Sequence, residues 1–571
     1  MTGRNNKSLN DPGFSGFCFL VAFGIVNIFA ITLFLSSLSF FMSGRLTTFH
    51  LPVSIAISLF LNWIVAKNTF QELAWELYMK TNWVIVGIFL LSILLVIPFY
   101  DISLDGQWYH QESVYQLARG WNPFHGNYPD NTTRNGSFWF NHYAKGLEVF
   151  QTNFYLLTGR MESGKATNLV LGIGSFFMCL SFFARLQKFP KWKSVFIAAA
   201  LAFSPLVVVQ LLTFCNDGAM SSMLLYFAVT SCLIFLEYRK QLLILLCSVI
   251  IATLNIKFTG ILYVVCFSAA LLFVIFLRRR NIFRQIFTCI CISGILGVCF
   301  IGFNPYVTNF KNEGHPLYPI MGKNKVDFMK NEYPLSWRYK NRFEKLFISV
   351  FTHTDDLNLF VDPDPVVPLK IPFTFNRTDI HNSVNPLVTM GALGPLFSGI
   401  LILSAILMGL VCINPFTQGK LFYPVIILLT FAGTILMMEE AWTVRYVPQF
   451  WFIPVLIVVS AEYSSIIGLR YIRNFIYIAI AINICFSGLS IGWNFVQSRK
   501  LDDQFKEIKQ NGQVIPVDFN YYLSNRIRFE EKQIPYQEIH MGGRPDSSLS
   551  ISFNHSYAKY FLPPVAPPPN R

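Results

Sequence analysis

The stretch 100–112, YDISLDGQWYHQE, places two carboxylates directly after the apolar run 83–99. Asp101 and Asp105 would therefore stand at a water–lipid boundary. If the segment is helical, Asp101, Asp105, Tyr109 and Glu112 recur on one face, with His110 on the opposite face. A carboxylate at that depth meets the phosphate of a lipid. The chemistry this suggests is general-base catalysis, in which Asp105 takes a proton from an attacking hydroxyl or amine. If the bond broken is that between an anomeric carbon and a lipid phosphate, the leaving group is already an anion. It needs cations rather than an acid.

Cations are available. His142, Lys145, Arg160, Lys165, Lys257 and Arg445 all fall beside apolar runs. Lys257 interrupts two of them, and Arg445 lies in EEAWTVRYVP at the equivalent depth. Each is also the kind of residue that ends a membrane helix by snorkelling. Asp217, in FCNDGAMSS, opens another run, where an Asp is equally at home as a helix cap. Asp101, Asp105 and Glu112 could offer oxygen ligands to a divalent metal. No spacing demands one, and the expectation is that no metal or other cofactor is used. HExxH, CxxC and Walker patterns are all missing from the sequence.

The elements that must position these groups are membrane helices. Hydrophobic residues make up 53% of the chain and charged residues 13%, which assigns it to the polytopic membrane proteins. Runs of bilayer length predict about thirteen transmembrane helices, at 14–42, 49–66, 82–100, 166–187, 194–212, 218–237, 241–256, 258–277, 283–303, 387–412, 420–438, 446–467 and 473–494. The basic clusters at 185–193, 239–240, 278–284 and 470–473 alternate onto one side together with the amino terminus. By the positive-inside rule that side is cytoplasmic. This bias accounts for part of the net charge of +14 without nucleic acid.

The expected layout is therefore 1–100 and 166–303 as helices around an outward loop 101–165. A second outward loop, 304–386, precedes helices at 387–494, and 495–571 forms an outward appendage with β structure. Its PPVAPPPNR end reads as disordered. Residues 143, 147, 150, 154 and 157 form a helical stripe, read as an amphipathic helix on the outer leaflet.

Several of these pieces together resemble the GT-C class of integral-membrane glycosyltransferases, and its bacterial polyprenyl-phosphate-sugar-dependent members in particular, related to protein O-mannosyltransferases and aminoarabinose transferases. The resemblance rests on Asp105 followed by Tyr109-His110, NHYAKGLEVF (141–150), the Asp217 turn, NIKFTG (255–260), NPYVTNFKNEGHPLYP (304–319) with His315 and Tyr318, and Arg445-Tyr446-x-Pro448. It implies an all-α, GT-C type fold and an inverting glycosyltransferase on the outer face of the cytoplasmic membrane. The donor would be a polyprenyl-phosphate-linked sugar and the acceptor an envelope glycan, lipid or protein. Asp105 would be the base, with Asp101 second. Arg445, Lys257, His142, Lys145, Tyr109 and His110 would serve the donor. Two predicted spans precede the acidic loop, where many members of the class have one. An O-antigen polymerase or ligase, or a lipid or polysaccharide transporter, are the rival readings.

Overall fold

The computed structural model describes residues 12–128, 137–357, 359, 361–413, 422–464, 466–520, 522–539 and 550–561. The proline-rich end falls outside them. The protein is mostly helical. Among the described residues, seven stretches are helical, long and apolar enough to cross a membrane: Gly13–Phe41, His50–Val96, Met161–Leu186, Asp217–Leu236, Thr259–Arg278, Arg280–Ile301 and Gly468–Asn511. The second contains two helices, His50–Phe70 and Ala74–Val96, joined by one tight turn. This is consistent with a polytopic membrane protein.

Other apolar runs form shorter pieces. The run 194–212 is two helices, Lys191–Ala202 and Pro205–Gln210, because Pro205 cannot continue the first and Ser204 caps the second. Gln241–Ile256 and Thr259–Arg278 are separated by Lys257, whose backbone is extended (φ −159°). The runs 387–412 and 446–467 keep helix only over Phe397–Ile413 and Phe452–Ala461. The run 473–494 belongs to one helix of 45 residues, Ile467–Asn511.

The expected outer-leaflet helix is not at a surface. Gly146–Thr158 is buried along Gly146–Phe154, including its polar Glu148, Gln151, Thr152 and Asn153. Phe150 packs on Phe29, and Gly146 lies against the Asn255 backbone so closely that a Cβ would overlap it. The stripe faces apolar helices, and the reverse side is covered by the segment 111–118.

The end of the chain forms the expected appendage. Strands β1 (Ile515–Asp518), β2 (Tyr536–Glu538), β3 (Ser550–Ser552) and β4 (Lys559–Phe561) make one sheet in the order β2-β1-β4-β3. Pairing is parallel for β1–β2 and antiparallel for the rest. Its core, which includes Phe519, Phe529, Phe553 and Tyr560, also takes Leu501, Phe505 and Ile508 from the long helix.

Two arginines of helix Ser524–Lys532 fasten this appendage to the first loop. Arg526 donates to both oxygens of Glu112, at 2.6 and 2.8 Å. Arg528 donates to Glu162 (3.1 Å) and to the Asp101 carbonyl (2.7 Å). Glu112 is fully buried, so removing its cation leaves an uncompensated charge. Arg526→Met is expected to destabilise the protein by about 3 kcal/mol. Adding Glu112→Gln should recover much of that loss, both measured by denaturation in detergent.

Candidate active site

The chain leaves the Ala74–Val96 helix at Ile97 and runs without regular structure through Asp101 before turning helical again at Leu104. The helix that follows opens with a π turn, Gly106–His110, and becomes regular over Gln111–Ala118. Two sequence expectations fail here. Asp101 precedes the helix and shares no face with Asp105. The wider π turn brings His110 to the same cavity as Asp105 and Tyr109, whereas a regular helix would have turned it away. Gly106 permits the turn, since a Cβ there would overlap the Asp101 carboxylate.

That cavity has a volume of about 1840 Å³, larger than the usual single-ligand pocket. All three predicted outward segments contribute to it: Asp105 from the first, Glu332 and Asp356 from the second, and Tyr522 and Tyr557 from the appendage. On one side its wall becomes apolar through Ile261, Leu262, Val265 and Met437, which belong to two apolar helices.

The charged centre is a chain of four groups. Arg445 Nη1 donates to Asp105 Oδ2 at 3.2 Å and lies 3.7 Å from Asp217 Oδ2. Lys257 Nζ donates to Asp217 Oδ1 at 2.6 Å. Gln210 holds the arrangement from behind, donating to Asp217 and accepting from the Gly218 amide. The Tyr446 ring lies 4.1 Å below Lys257, and its hydroxyl is 3.5 Å from Arg445 Nη2. Burial opposes the charge on Arg445, but Tyr446, Asp105 and Asp217 outweigh it and hold its pKa well above the usual arginine value. Arg445 Nε is buried without a hydrogen-bond partner. Two carboxylates and two cations cancel, yet donors remain unused.

Beside this centre, His110 Nδ1 and Glu148 Oε1 are 2.7 Å apart, both buried. Tyr109 stacks on Trp139 (5.4 Å, 18° between planes), continuing to Phe328.

The remaining candidates lie elsewhere. Asp101 is fully buried, accepting from the Ser103 amide and hydroxyl and from the Phe214 amide. It shapes the loop and does not line the cavity. Glu112 is spent on Arg526, and Lys165 on Glu162 and the Phe99 carbonyl. His142 faces Asn309 (2.8 Å), and burial lowers its pKa, which disfavours a cation there. Tyr318 packs edge-on against it, and His315 accepts from the Leu317 amide. Arg160 is exposed outside the cavity. Lys145 is buried and donates to the Tyr143 carbonyl at 2.7 Å.

Sequence reasoning missed Glu148, Trp139, Glu332, Asp356 and the tyrosines of the appendage. Glu148 falls off the stripe at 143–157, on the side that an outer-leaflet helix would turn to water, so its type alone does not mark it. The chain matches no protein family, no curated protein and no solved structure in the comparisons made.

Burial pulls Lys145 from 10.5 to about 7, with Glu148 opposing. Between those values the folded protein holds fewer protons than the unfolded chain. The cost of burying the charged lysine is therefore fully present below about pH 7 and is relieved as pH rises. Stability in detergent should increase from pH 7 to 9 by on the order of 1 kcal/mol per pH unit. Lys145→Met should flatten that rise and be the more stable form at pH 6.

Proposed function

We propose that the protein is an integral-membrane, inverting glycosyltransferase of GT-C type that uses a polyprenyl-phosphate sugar. The observation that carries this reading is Arg445, held between Asp105 and Asp217 at a cavity whose wall continues onto apolar helices. A ligand suited to it has an anionic head at the cations and an apolar tail along Val265 and Met437, each more than half exposed.

In this reading Arg445 and Lys257 bind the phosphate, and Asp217 keeps both cations in place. The phosphate competes with Asp105 for Arg445. Once the guanidinium turns to the phosphate, Asp105 is released as a base beside the anomeric carbon. The acceptor O–H bond breaks and its proton passes to Asp105. The acceptor oxygen bonds to the anomeric carbon from the face opposite the phosphate, and the carbon–phosphate oxygen bond breaks. Polyprenyl phosphate leaves as an anion stabilised by the two cations, and the anomeric configuration is inverted. The site would sit on the outer face of the cytoplasmic membrane, with an envelope glycan, lipid or protein as acceptor.

The test uses purified protein in lipid nanodiscs with radiolabelled polyprenyl-phosphate sugars and an envelope extract. Asp105→Asn should lower the transfer rate by about 10²-fold or more while still binding donor. Arg445→Met should raise the donor KM as well as lower kcat. If the wild type, folded and at full stability, consumes none of the lipid-phosphate sugars, the transferase reading fails and a lipid transporter becomes the better account. A product that retains the donor's anomeric configuration would reject the single-displacement step.

A further inference from the structure

A part of the cavity wall distinct from Tyr109 and Trp139 belongs to the end of the chain. Tyr522, His555, Ser556 and Tyr557 of the appendage line it, together with Trp493 of the long helix and His381 of the second loop. Tyr522 is within electrostatic reach of Asp105. Trp493 packs edge-on against His381 (5.3 Å) and against His555 (5.7 Å), and Tyr557 packs edge-on against Tyr522 (5.4 Å).

Tyr522 belongs to the appendage core together with Phe505, Phe519, Phe529, Phe553 and Tyr560, whereas Tyr557 lies outside it. Tyr557 is 66% exposed. Yet the turn that presents them is tightly held. His555 has a left-handed backbone (φ 53°), unusual for a residue with a side chain. Its carbonyl accepts from Gln107 at 2.9 Å. Asn554 donates to the Gln497 carbonyl and side chain, and Ser556 accepts from Asn525. Gln107 lies two residues from Asp105, so the turn is tied to the helix that carries the candidate base.

We propose that Trp493, Tyr522, His555 and Tyr557 form a saccharide-binding acceptor subsite, so that the acceptor is a glycan. The proposal deepens the transferase reading and rests on it for the word acceptor. Aromatic faces and edges suit the C–H faces of a pyranose ring, while the Tyr and Ser hydroxyls and the imidazole suit its hydroxyls. A peptide acceptor would be expected to use backbone pairing, yet none of the residues in β1 to β4 lines the cavity. Two aromatic groups lining a cavity with one candidate base match two sugars, one delivered and one receiving. The cavity has room for both.

The test is saturation-transfer NMR on the intact protein in nanodiscs, without donor. The probes are β-linked disaccharides of glucose, galactose, mannose and N-acetylglucosamine, alongside Ser/Thr-containing hexapeptides. Transfer to the pyranose C–H protons of at least one disaccharide is expected in the wild type and in Asp105→Asn. Tyr557→Ala, a change at an exposed ring outside the appendage core, should weaken that binding by about fivefold or more. His555→Ala should weaken it as well. The proposal is overturned if no disaccharide receives saturation, if Tyr557→Ala leaves binding unchanged, or if the peptides bind in the disaccharides' place. Saccharide binding with no transfer from any polyprenyl-phosphate sugar would defeat the transferase reading and leave this site standing. Transfer to a non-saccharide acceptor, unaffected by Tyr557→Ala, would do the reverse.

Discussion

Burying a carboxylate is tolerable only where cations or hydrogen-bond donors are delivered to it. The first loop buries four: Asp101, met by the Ser103 and Phe214 amides and the Ser103 hydroxyl, Glu148, met by His110, and Glu112 and Glu162, met by three cations. Of these three, Lys165 comes from the same loop, 2.9 Å from Glu162. The other two, Arg526 and Arg528, arrive on a single short helix near the end of the chain. That helix thus decides where the appendage sits. Its position sets the 555–557 turn through Gln107, and the same network holds the strand-like entry to the π turn on which Asp105, Tyr109 and His110 are mounted. Loop, appendage and cavity wall are consequences of one charge-balancing requirement.

The candidate active centre obeys the same rule with a different outcome. Asp217 is buried and pairs closely with Lys257, whereas Asp105 and Arg445 pair at the edge of open space. Asp217 is a fixed foundation. Lys257, Arg445 and Asp105 face the cavity and are available to a competing ion. A network that is only partly satisfied is costly in a core. At a binding site, the unused donors of Arg445 and Lys257 are what an anionic ligand would complete.

How much of this was legible in the sequence follows from the range of the forces involved. Apolar runs of bilayer length identify helices because that signal is local, and so do the charges at their ends. Asp105, Asp217, Lys257 and Arg445 were found that way, and they do converge. The break at Pro205 is a local signal too, but the hydropathy of 194–212 conceals it. Asp101 and Asp105, four residues apart and chemically identical, could not be separated, because what distinguishes them is contact with Phe214 in one case and Arg445 in the other. The π turn has no sequence pattern to read. The stripe at 143–157 was real, but an interfacial helix and a buried one share it. Only the burial of Gln151, Thr152 and Asn153 on the reverse side tells them apart. The aromatic residues of the appendage had no periodicity to connect them with a site hundreds of residues earlier.

The helix Ile467–Asn511 has a mechanical consequence. At 1.5 Å per residue it is about 67 Å long, against a hydrocarbon layer of about 30 Å. One rigid rod therefore runs from the apolar contacts of Ile476 and Ile480, past Trp493 at the cavity, into the appendage core at Leu501, Phe505 and Ile508. A change in bilayer thickness is met by tilt of such a helix. Here tilt would carry Trp493 and the appendage with it, and with them the first loop that Arg526, Arg528 and the Gln107–His555 hydrogen bond fasten to the appendage. Lipid chain length would thus act as a lever on the carboxylate and the aromatic wall together, against the apolar helices that complete the cavity.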